Sequence, residues 1–276
     1  MDEIQRKLDR IDKQLSGGLQ YHKKGDYKMN SNANNKKIAR FIDINACKQV
    51  FSESYSTFLI RSHKYYWHIE NTDKQDRHEF QVQGEKCTME AGSGLLSCWT
   101  ILDDDKPTDE EWKIFVKDSP AVAIVSRPTK VYDFLYKILD IESTNGRTYP
   151  FFRIINNKVN YNDKIKDKDK RKNKPTIYDA IFTKDEKFKD EKEYRFVVLY
   201  RHMIHEINTY ILHVQDPYEY VESFYFNPHI NSKKANELHI IINSAISNSG
   251  PLHGKKLCEI IANSDDLFVS ISNNKN

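Results

Sequence analysis

Short apolar runs, several of them alternating with polar residues, recur along the chain and predict strands with at least one buried face. The clearest single runs are Gly94–Leu102, Ala121–Ser126 and Tyr194–Arg201. Two further alternating runs, Ile207–Val214 and Val221–Pro228, follow at a spacing typical of hairpins. We therefore expect the C-terminal half of the chain to consist mainly of sheet.

Other stretches place their apolar residues at helical spacing. Residues 1–15 predict a short amphipathic helix, and a polar, flexible linker follows it up to residue 36. Thr108 is the expected N-cap of another helix, with Glu111 three residues later in a capping box. Pro128 begins a third helix, in keeping with the preference of proline for the first helical turn. The apolar stripe of that helix consists of Val131, Phe134, Leu135, Ile138 and Leu139.

Together these elements predict an α+β fold with a single mixed, mostly antiparallel β-sheet, flanking helices and the N-terminal amphipathic helix. We expect residues 1–36 to form that helix and its flexible linker, and residues 37–276 to form one globular domain. A chain of 276 residues, of which 38% are hydrophobic, is long enough to bury a substantial core.

The charge of the chain is nearly balanced. Its 43 basic and 40 acidic residues give a net charge of +3, which is too even to indicate nucleic-acid binding from overall charge. No stretch is apolar enough for a membrane span, and the charged N-terminus does not resemble a secretory signal, so we expect a cytoplasmic protein without membrane contact. Four widely separated cysteines without a CxxC pair predict free thiols.

The charged run Phe182–Tyr200 is the main candidate for chemistry, since phosphate-binding loops, HExxH and GxSxG are all absent from the sequence. On one strand, the two-residue period would place Glu191 and Glu193 on the same face. Two close carboxylates disfavour joint ionisation unless a cation compensates, and Arg195 is placed to do so. A charged sheet rim with cross-strand salt bridges is the alternative that this spacing leaves open.

Several motifs occur in a fixed order along the chain, including a strand that ends in Cys98-Trp99-Thr100 and an Asn227-Pro228 turn before the last helix. This order resembles the bacterial family called domain of unknown function 2971, over roughly residues 38 to 271. The family name records no activity, so the resemblance implies only which residues to compare. The remaining matches are Arg61, Asp76, Glu79, Trp112, Ala121 to Ile124, Val159 to Tyr161, Phe188, Glu191, Glu193 and Arg195.

A second resemblance, of mechanism, is to ADP-ribosyltransferases, whose site combines a strand-borne Arg or His, a Ser/Thr-bearing strand and a Glu-x-Glu at the start of a later strand. It implies NAD as co-substrate, with Glu193 stabilising the ribosyl cation, Glu191 activating the acceptor, and no metal. Arginine suits the NAD pyrophosphate because a guanidinium binds phosphate oxygens in pairs. The residues expected to bind NAD are Arg61, Ser97, Thr100, Tyr161 and Arg195. Candidates to stack nicotinamide or adenine, though core packing is the commoner role, are Tyr65, Tyr66, Trp67 and Trp99.

We therefore expect an ADP-ribosyltransferase-like toxin or antiphage-defence effector that modifies a protein or nucleic acid. The N-terminal helix is a candidate binding segment for an antitoxin or a defence-system partner. A rival is a non-catalytic binding module, in which the lysine-rich loop Lys164–Lys174 contacts nucleic acid or protein. Another is a nuclease in which Asp76, Glu79, Glu191 and Glu193 bind Mg²⁺.

Overall fold

The computed structural model describes the central part of the chain with several gaps. The described residues are 36–47, 56–62, 94–144, 152–161, 181–200, 209–214 and 219–241, apart from 45, 118, 232, 235 and 239. The predicted N-terminal helix at residues 1–15 lies outside these ranges. Among the helices that are described, none combines the length and the apolar character needed to cross a bilayer.

Strands outnumber helices in the described part of the chain. In chain order the described strands are β1 (Ile38–Asp43), β2 (Ser56–Ser62), β3 (Gly94–Ile101), β4 (Ala121–Ser126), β5 (Phe152–Lys158), β6 (Asn160–Tyr161), β7 (Thr183–Lys184), β8 (Glu193–Tyr200), β9 (Thr209–Val214) and β10 (Ser223–Phe226). Helix α1 (Asp109–Phe115) precedes β4, helix α2 (Pro128–Thr144) follows it, and a 3₁₀ helix (Glu186–Glu191) precedes β8.

The described residues divide between two compact units. Those of unit 1 lie in Ile60–Cys98 and Ser143–Tyr210. Those of unit 2 lie in Asn32–Leu59, Trp99–Glu142 and Ile211–Asn276. The chain enters each unit more than once, so neither unit is a continuous piece of sequence. The boundary expected between residues 36 and 37 stays a prediction.

Unit 2 is built around β4, whose residues Ala121–Ser126 are all buried. A nearly continuous apolar run of this kind is expected for a strand covered on both faces. Strand β1 pairs with one edge of β4, with Phe41 opposite Ala123, and β10 pairs with the other edge, with Tyr225 opposite the same residue. Strand β1 also pairs with the end of β3, and all three pairings are antiparallel.

Helix α1 confirms the predicted capping box. The Thr108 hydroxyl accepts a hydrogen bond from Glu111 N at 3.3 Å, and the Glu111 carboxylate accepts one from Thr108 N at 2.8 Å. Such a reciprocal pair satisfies N–H groups that the first turn of a helix leaves without partners. The cap fixes the start of the helix, so that Trp112 is buried edge-on against Phe41, with ring centroids 4.9 Å apart.

Helix α2 begins at Pro128, as predicted, and packs through its apolar stripe. Phe134 joins an aromatic cluster in which its ring centroid lies 5.4 Å from Phe58 and 4.7 Å from Tyr220. Burial of an aromatic ring against other rings stabilises a core by more than its area alone. The five predicted stripe residues are all buried: Val131, Phe134, Leu135, Ile138 and Leu139.

The turn that begins at Asn227 locks two segments of unit 2 together. Its side-chain amide donates to the carbonyl oxygens of Lys117 and Ser119 at 2.7 and 2.9 Å, and its amide oxygen accepts from His229 N at 3.0 Å. Lys117 has φ 49°, a left-handed conformation that costs a residue with a side chain roughly 1–2 kcal/mol. The Asn227 side chain helps to hold that conformation, which gives this motif a structural role.

Unit 1 contains a long antiparallel pair, β5 with β8, whose register runs from Phe152 opposite Tyr200 to Lys158 opposite Tyr194. Strand β8 also pairs with β3. Residues Glu193–Val198 are all buried, although the strand begins with charged residues. Strand β8 thus buries charged side chains at its start and apolar ones beyond them.

The other pairings of unit 1 complete the fold class. Strands β2 and β3 are antiparallel, with Arg61 opposite Leu96. Strands β6 and β7 are short and parallel, with Tyr161 opposite Lys184. The described residues therefore confirm an α+β fold with mixed, mostly antiparallel sheet and flanking helices.

Candidate functional site

The chain in front of β8 departs from the extended strand that was predicted. Residues Glu186–Glu191 form a 3₁₀ helix, for which Asp185 is the N-cap. Lys192 then adopts a left-handed backbone conformation with φ 46° and ψ 43°, and β8 begins at Glu193. The prediction that Glu191 and Glu193 lie on the same face of one strand is therefore wrong, because Glu191 belongs to the 3₁₀ helix and the left-handed Lys192 interrupts the two-residue period.

Glu193 and Arg195 do lie on one face of β8, and their side chains form a two-point ion pair. The Arg195 Nε donates to Glu193 Oε1 at 2.8 Å, and its Nη2 donates to Oε2 at 2.8 Å. The same guanidinium donates through Nη1 to the carbonyl oxygen of Ile181 at 2.6 Å. Side-chain exposure is 9% for Glu193 and 1% for Arg195. Paired charge-assisted hydrogen bonds of this kind are strong and directional, so the Glu193 carboxylate is fixed inside unit 1.

Lys184 is a central cation of this region that the sequence did not single out. Its Nζ lies 2.7 Å from Glu191 Oε2 and 3.5 Å from Glu193 Oε2. The ammonium also lies 4.9 Å from the centre of the Phe188 ring, close enough for a cation–π contact. Lys184 thus contacts both Glu191 and Glu193, the two carboxylates that were expected to lie on one face of a strand.

The charges around Glu193 keep it ionised. Burial alone would raise the pKa of Glu193. The positive charges of Arg195 and Lys184 outweigh the effect of burial, and together with hydrogen bonds from Arg195 and from the Cys98 thiol they lower the pKa to about 2. An acid with so low a pKa carries its negative charge throughout the neutral range. Glu193 therefore acts as a fixed negative charge and does not exchange a proton near neutral pH.

Tyr161 holds the first residue of β8 from the neighbouring strand. Its hydroxyl oxygen accepts a hydrogen bond from Glu193 N at 2.7 Å, and the Glu193 carbonyl oxygen accepts one from Val159 N at 2.8 Å. Burial raises the pKa of the Tyr161 hydroxyl, and the negative charges of Glu193 and Glu191 raise it further. We call the five residues Tyr161, Lys184, Glu191, Glu193 and Arg195 the β8 cluster.

The register between β2 and β3 decides which predicted residues of these strands face the β8 cluster. Arg61 lies opposite Leu96, so it shares a face with Leu96 and, two residues further along, with Cys98. The Cys98 thiol donates a hydrogen bond to Glu193, which indicates that Arg61 points to the face of the sheet that carries the Glu193 side chain. Ser97 points to the opposite face, where it is fully buried, so Cys98 occupies the place expected for Ser97.

Two other predicted residues, Thr100 and Trp99, belong to unit 2, and the remaining ones lie outside the described ranges. Thr100 belongs to unit 2, where it is buried opposite Ala39. Trp99 also belongs to unit 2, and its ring centroid lies 6.5 Å from that of Phe58. Trp99 therefore packs in the core, which was the alternative to stacking on a ligand. The expected residues outside the described ranges are Tyr65, Tyr66, Trp67, Asp76, Glu79 and the loop Lys164–Lys174.

The two carboxylates of the cluster differ in what they offer to a ligand. Both oxygens of Glu193 contact Arg195, and one of them also lies near Lys184. Glu191 lies at the end of the 3₁₀ helix and exposes 25% of its side chain, compared with 9% for Glu193. Glu191 is therefore the carboxylate of the cluster that reaches solvent.

Comparison of the chain with protein-family models, with curated proteins and with solved structures finds no match. Within the described ranges, no three side chains of His, Cys, Asp or Glu converge as a metal site would require. Neither of the described cysteines, Cys47 and Cys98, forms a disulfide. The geometry of the β8 cluster is thus the basis for a functional interpretation.

Proposed function

We propose that unit 1 carries a site of NAD-dependent ADP-ribosyl transfer to a protein or nucleic acid, with Glu191 as the carboxylate that faces the reacting ribose. The observation that supports this most is the position of Glu191. Its carboxylate is partly exposed and is held at 2.7 Å by the ammonium of Lys184. Cleavage of NAD develops positive charge on the ribose, and a fixed negative charge beside it lowers the barrier.

The proposed reaction is a substitution at the C1′ atom of the nicotinamide ribose. The bond between C1′ and the nicotinamide nitrogen breaks, and its electron pair leaves with nicotinamide, which becomes neutral. An oxygen or nitrogen of the acceptor bonds to C1′ and releases its proton to solvent. Nicotinamide leaves without being protonated, so the site needs no general acid. The task left to Glu191 is electrostatic stabilisation of the ribosyl cation.

Glu193 has a different role in this proposal from the one that the resemblance implies. Its two oxygens already bind Arg195, and only 9% of its side chain is exposed. A carboxylate in that state positions its neighbours, here Lys184 and the start of β8, without touching the substrate. We therefore assign stabilisation of the cation to Glu191 and positioning to Glu193.

Arg61 is the proposed ligand of the NAD pyrophosphate. It is half-buried, and its position opposite Leu96 places it on the same face of the sheet as Cys98, whose thiol binds Glu193. A guanidinium matches phosphate oxygens with two parallel donors. Arg195, which was also expected to bind NAD, is unsuited to this, because it is 1% exposed and its donors bind Glu193 and Ile181.

Nicotinamide release from NAD by the purified full-length chain tests the proposal. The wild type is expected to release nicotinamide, and Glu191→Gln to slow the release by about 100-fold, a typical loss for one electrostatic group. Glu186→Gln is the matched control, since it makes the same change at the other end of the same 3₁₀ helix. A wild type that does not cleave NAD, or a fully active Glu191→Gln, would overturn the proposal.

Two further arms separate the rival functions. Nucleic-acid cleavage that EDTA abolishes, without nicotinamide release, would indicate the metal-dependent nuclease. Steeply salt-dependent binding without turnover would indicate the binding module. Membership of the family called domain of unknown function 2971, and a toxin or antiphage-defence role, stay predictions.

A further inference from the structure

The Tyr161 hydroxyl uses only part of its hydrogen-bonding capacity within the protein. A phenol can accept hydrogen bonds through its oxygen and can donate one through its proton. The oxygen accepts from Glu193 N at 2.7 Å, which is a contact between neighbouring strands and belongs to the fold. Within the described ranges, no acceptor receives the Tyr161 proton. The donor function of this hydroxyl is therefore available to a ligand.

The surroundings of this hydroxyl keep its proton in place. Tyr161 lies opposite Lys184 in the parallel pair of β6 and β7. Burial, together with the negative charges of Glu193 and Glu191, raises the pKa of Tyr161, and the hydrogen bond from Glu193 N and the charge of Lys184 oppose this only in part. The side chain remains partly exposed. A protonated phenol at the edge of a charged cluster is a neutral hydrogen-bond donor across the physiological range.

The charges also decide what kind of acceptor fits there. The cations Lys184 and Arg195 are already paired with the carboxylates of Glu191 and Glu193, so the cluster offers no surplus positive charge to a phosphate or carboxylate of a ligand. A sugar hydroxyl is neutral, and it can accept one hydrogen bond while donating another. It is thus able to accept from Tyr161 and donate to the exposed carboxylate of Glu191. Hydrogen bonds in such a chain polarise and strengthen one another.

We propose that Tyr161 donates its hydroxyl proton to a hydroxyl oxygen of the nicotinamide ribose and makes the site selective for a sugar that carries this group. The inference rests on the proposed function, because it concerns the ribose that Glu191 faces. It adds a specificity-determining residue and the chemical group that this residue recognises.

A cycle of one protein change and one substrate change tests this. Nicotinamide release is measured for NAD and for its 2′-deoxy and 3′-deoxy nicotinamide-ribose analogues, with wild type and Tyr161→Phe. Wild type is expected to prefer NAD over one analogue by about 10- to 100-fold, the size of effect expected when a site loses one hydrogen bond. Tyr161→Phe is expected to lose that preference, since without the phenol hydroxyl neither NAD nor the analogue can form this hydrogen bond. Tyr194→Phe is the control, because its hydroxyl donates to Asn156 Oδ1 at 2.9 Å, and it should keep the preference.

The outcomes separate this inference from the proposed function. NAD cleavage with the same preference in Tyr161→Phe would overturn the inference alone. Absence of NAD cleavage by the wild type would overturn the proposed function, and the inference with it. Should Tyr161→Phe fail to fold, 3-fluorotyrosine in place of Tyr161 keeps the oxygen that Glu193 N binds and provides a more acidic donor. An unchanged preference in that protein would overturn the inference as well.

Discussion

Strands β4 and β8 are both buried, but they bury opposite kinds of residue. All of β4, Ala121–Ser126, is buried, and it is apolar except for its last residue. Strand β8 buries Glu193 and Arg195 at its start and turns apolar only afterwards. Burial of apolar side chains stabilises a protein by roughly 25 cal/mol for each Å² removed from water. Burial of a charge costs several kcal/mol, which a well-placed partner offsets but rarely exceeds.

This difference in buried residues indicates a different role for each strand. The composition of β4 is explained by packing alone. The charges of β8 are not, because apolar residues of similar volume often stabilise a protein at least as well as a buried ion pair does. We therefore interpret the Glu193–Arg195 pair as a support for Lys184 and Glu191, whose carboxylate reaches solvent. The predictions below test this contrast between a packing strand and a site-bearing strand.

The largest effect is expected from breaking the ion pair of β8. Arg195→Met leaves the buried Glu193 carboxylate without its two-point partner, and we expect it to lower the free energy of unfolding by about 3–5 kcal/mol. Urea unfolding at neutral pH measures this. Arg127→Met is the control, because the Arg127–Glu222 pair at 3.0 Å is much more exposed and should contribute about 0–1 kcal/mol.

The double variant Glu193→Leu/Arg195→Met sharpens the same test. Removal of both charges leaves none of them unpaired, so the double variant should regain much of the stability that Arg195→Met loses. It should nevertheless lose NAD cleavage if the pair serves the site. A double variant as unstable as the single one would show that the pair itself is the source of stability.

Acid should weaken β8 through Glu193. The ordinary pKa of 4.5 is lowered to about 2 in the folded protein, so the folded state holds the ionised form more tightly. The resulting stability is fully present above pH 4.5 and is lost as the pH falls towards 2. The difference in unfolding free energy between wild type and Glu193→Gln should therefore be complete at about pH 6 and clearly smaller at about pH 3. A difference that stays constant over this range would contradict the account.

The smallest effect is expected on β4. Ile124 is 2% exposed, and Ile124→Val should cost about 0.5–1.5 kcal/mol through the methylene that is lost. Because no charge is involved, the cost should be the same at neutral and at acid pH, and NAD cleavage should be unchanged. Urea unfolding at two pH values together with nicotinamide release checks both points. A strong dependence of this cost on pH would contradict the proposed difference between β4, which is explained by packing, and β8, which buries charges.

The parts of the fold that follow from local rules were predictable from the sequence. The capping box of Thr108 and Glu111, the start of α2 at Pro128 and the buried run Ala121–Ser126 depend on neighbouring residues only. The fold class follows from the same patterns. The pairing of Glu193 with Arg195 also follows from the two-residue period, once the start of the strand is known.

The rest of the site depends on backbone geometry that the pattern of polar and apolar residues does not predict. Lys192 is left-handed without being glycine or asparagine, so no residue type marks the break between Glu191 and Glu193. The choice between Ser97 and Cys98 depends on the register of β3 against β2, which alternation alone leaves open. Lys184 is one of many lysines in its region, and only the tertiary fold sets it apart.

The two glutamates provide the most direct test of the central claim, which is that Glu191 acts on the substrate whereas Glu193 supports the site. Nicotinamide release from NAD, measured together with the melting temperature, compares Glu191→Gln with Glu193→Gln. The account predicts that Glu191→Gln slows nicotinamide release by about 100-fold and leaves the melting temperature nearly unchanged. It predicts that Glu193→Gln lowers the melting temperature by several degrees, because a buried charge pair is lost. Full nicotinamide release by Glu191→Gln would contradict it.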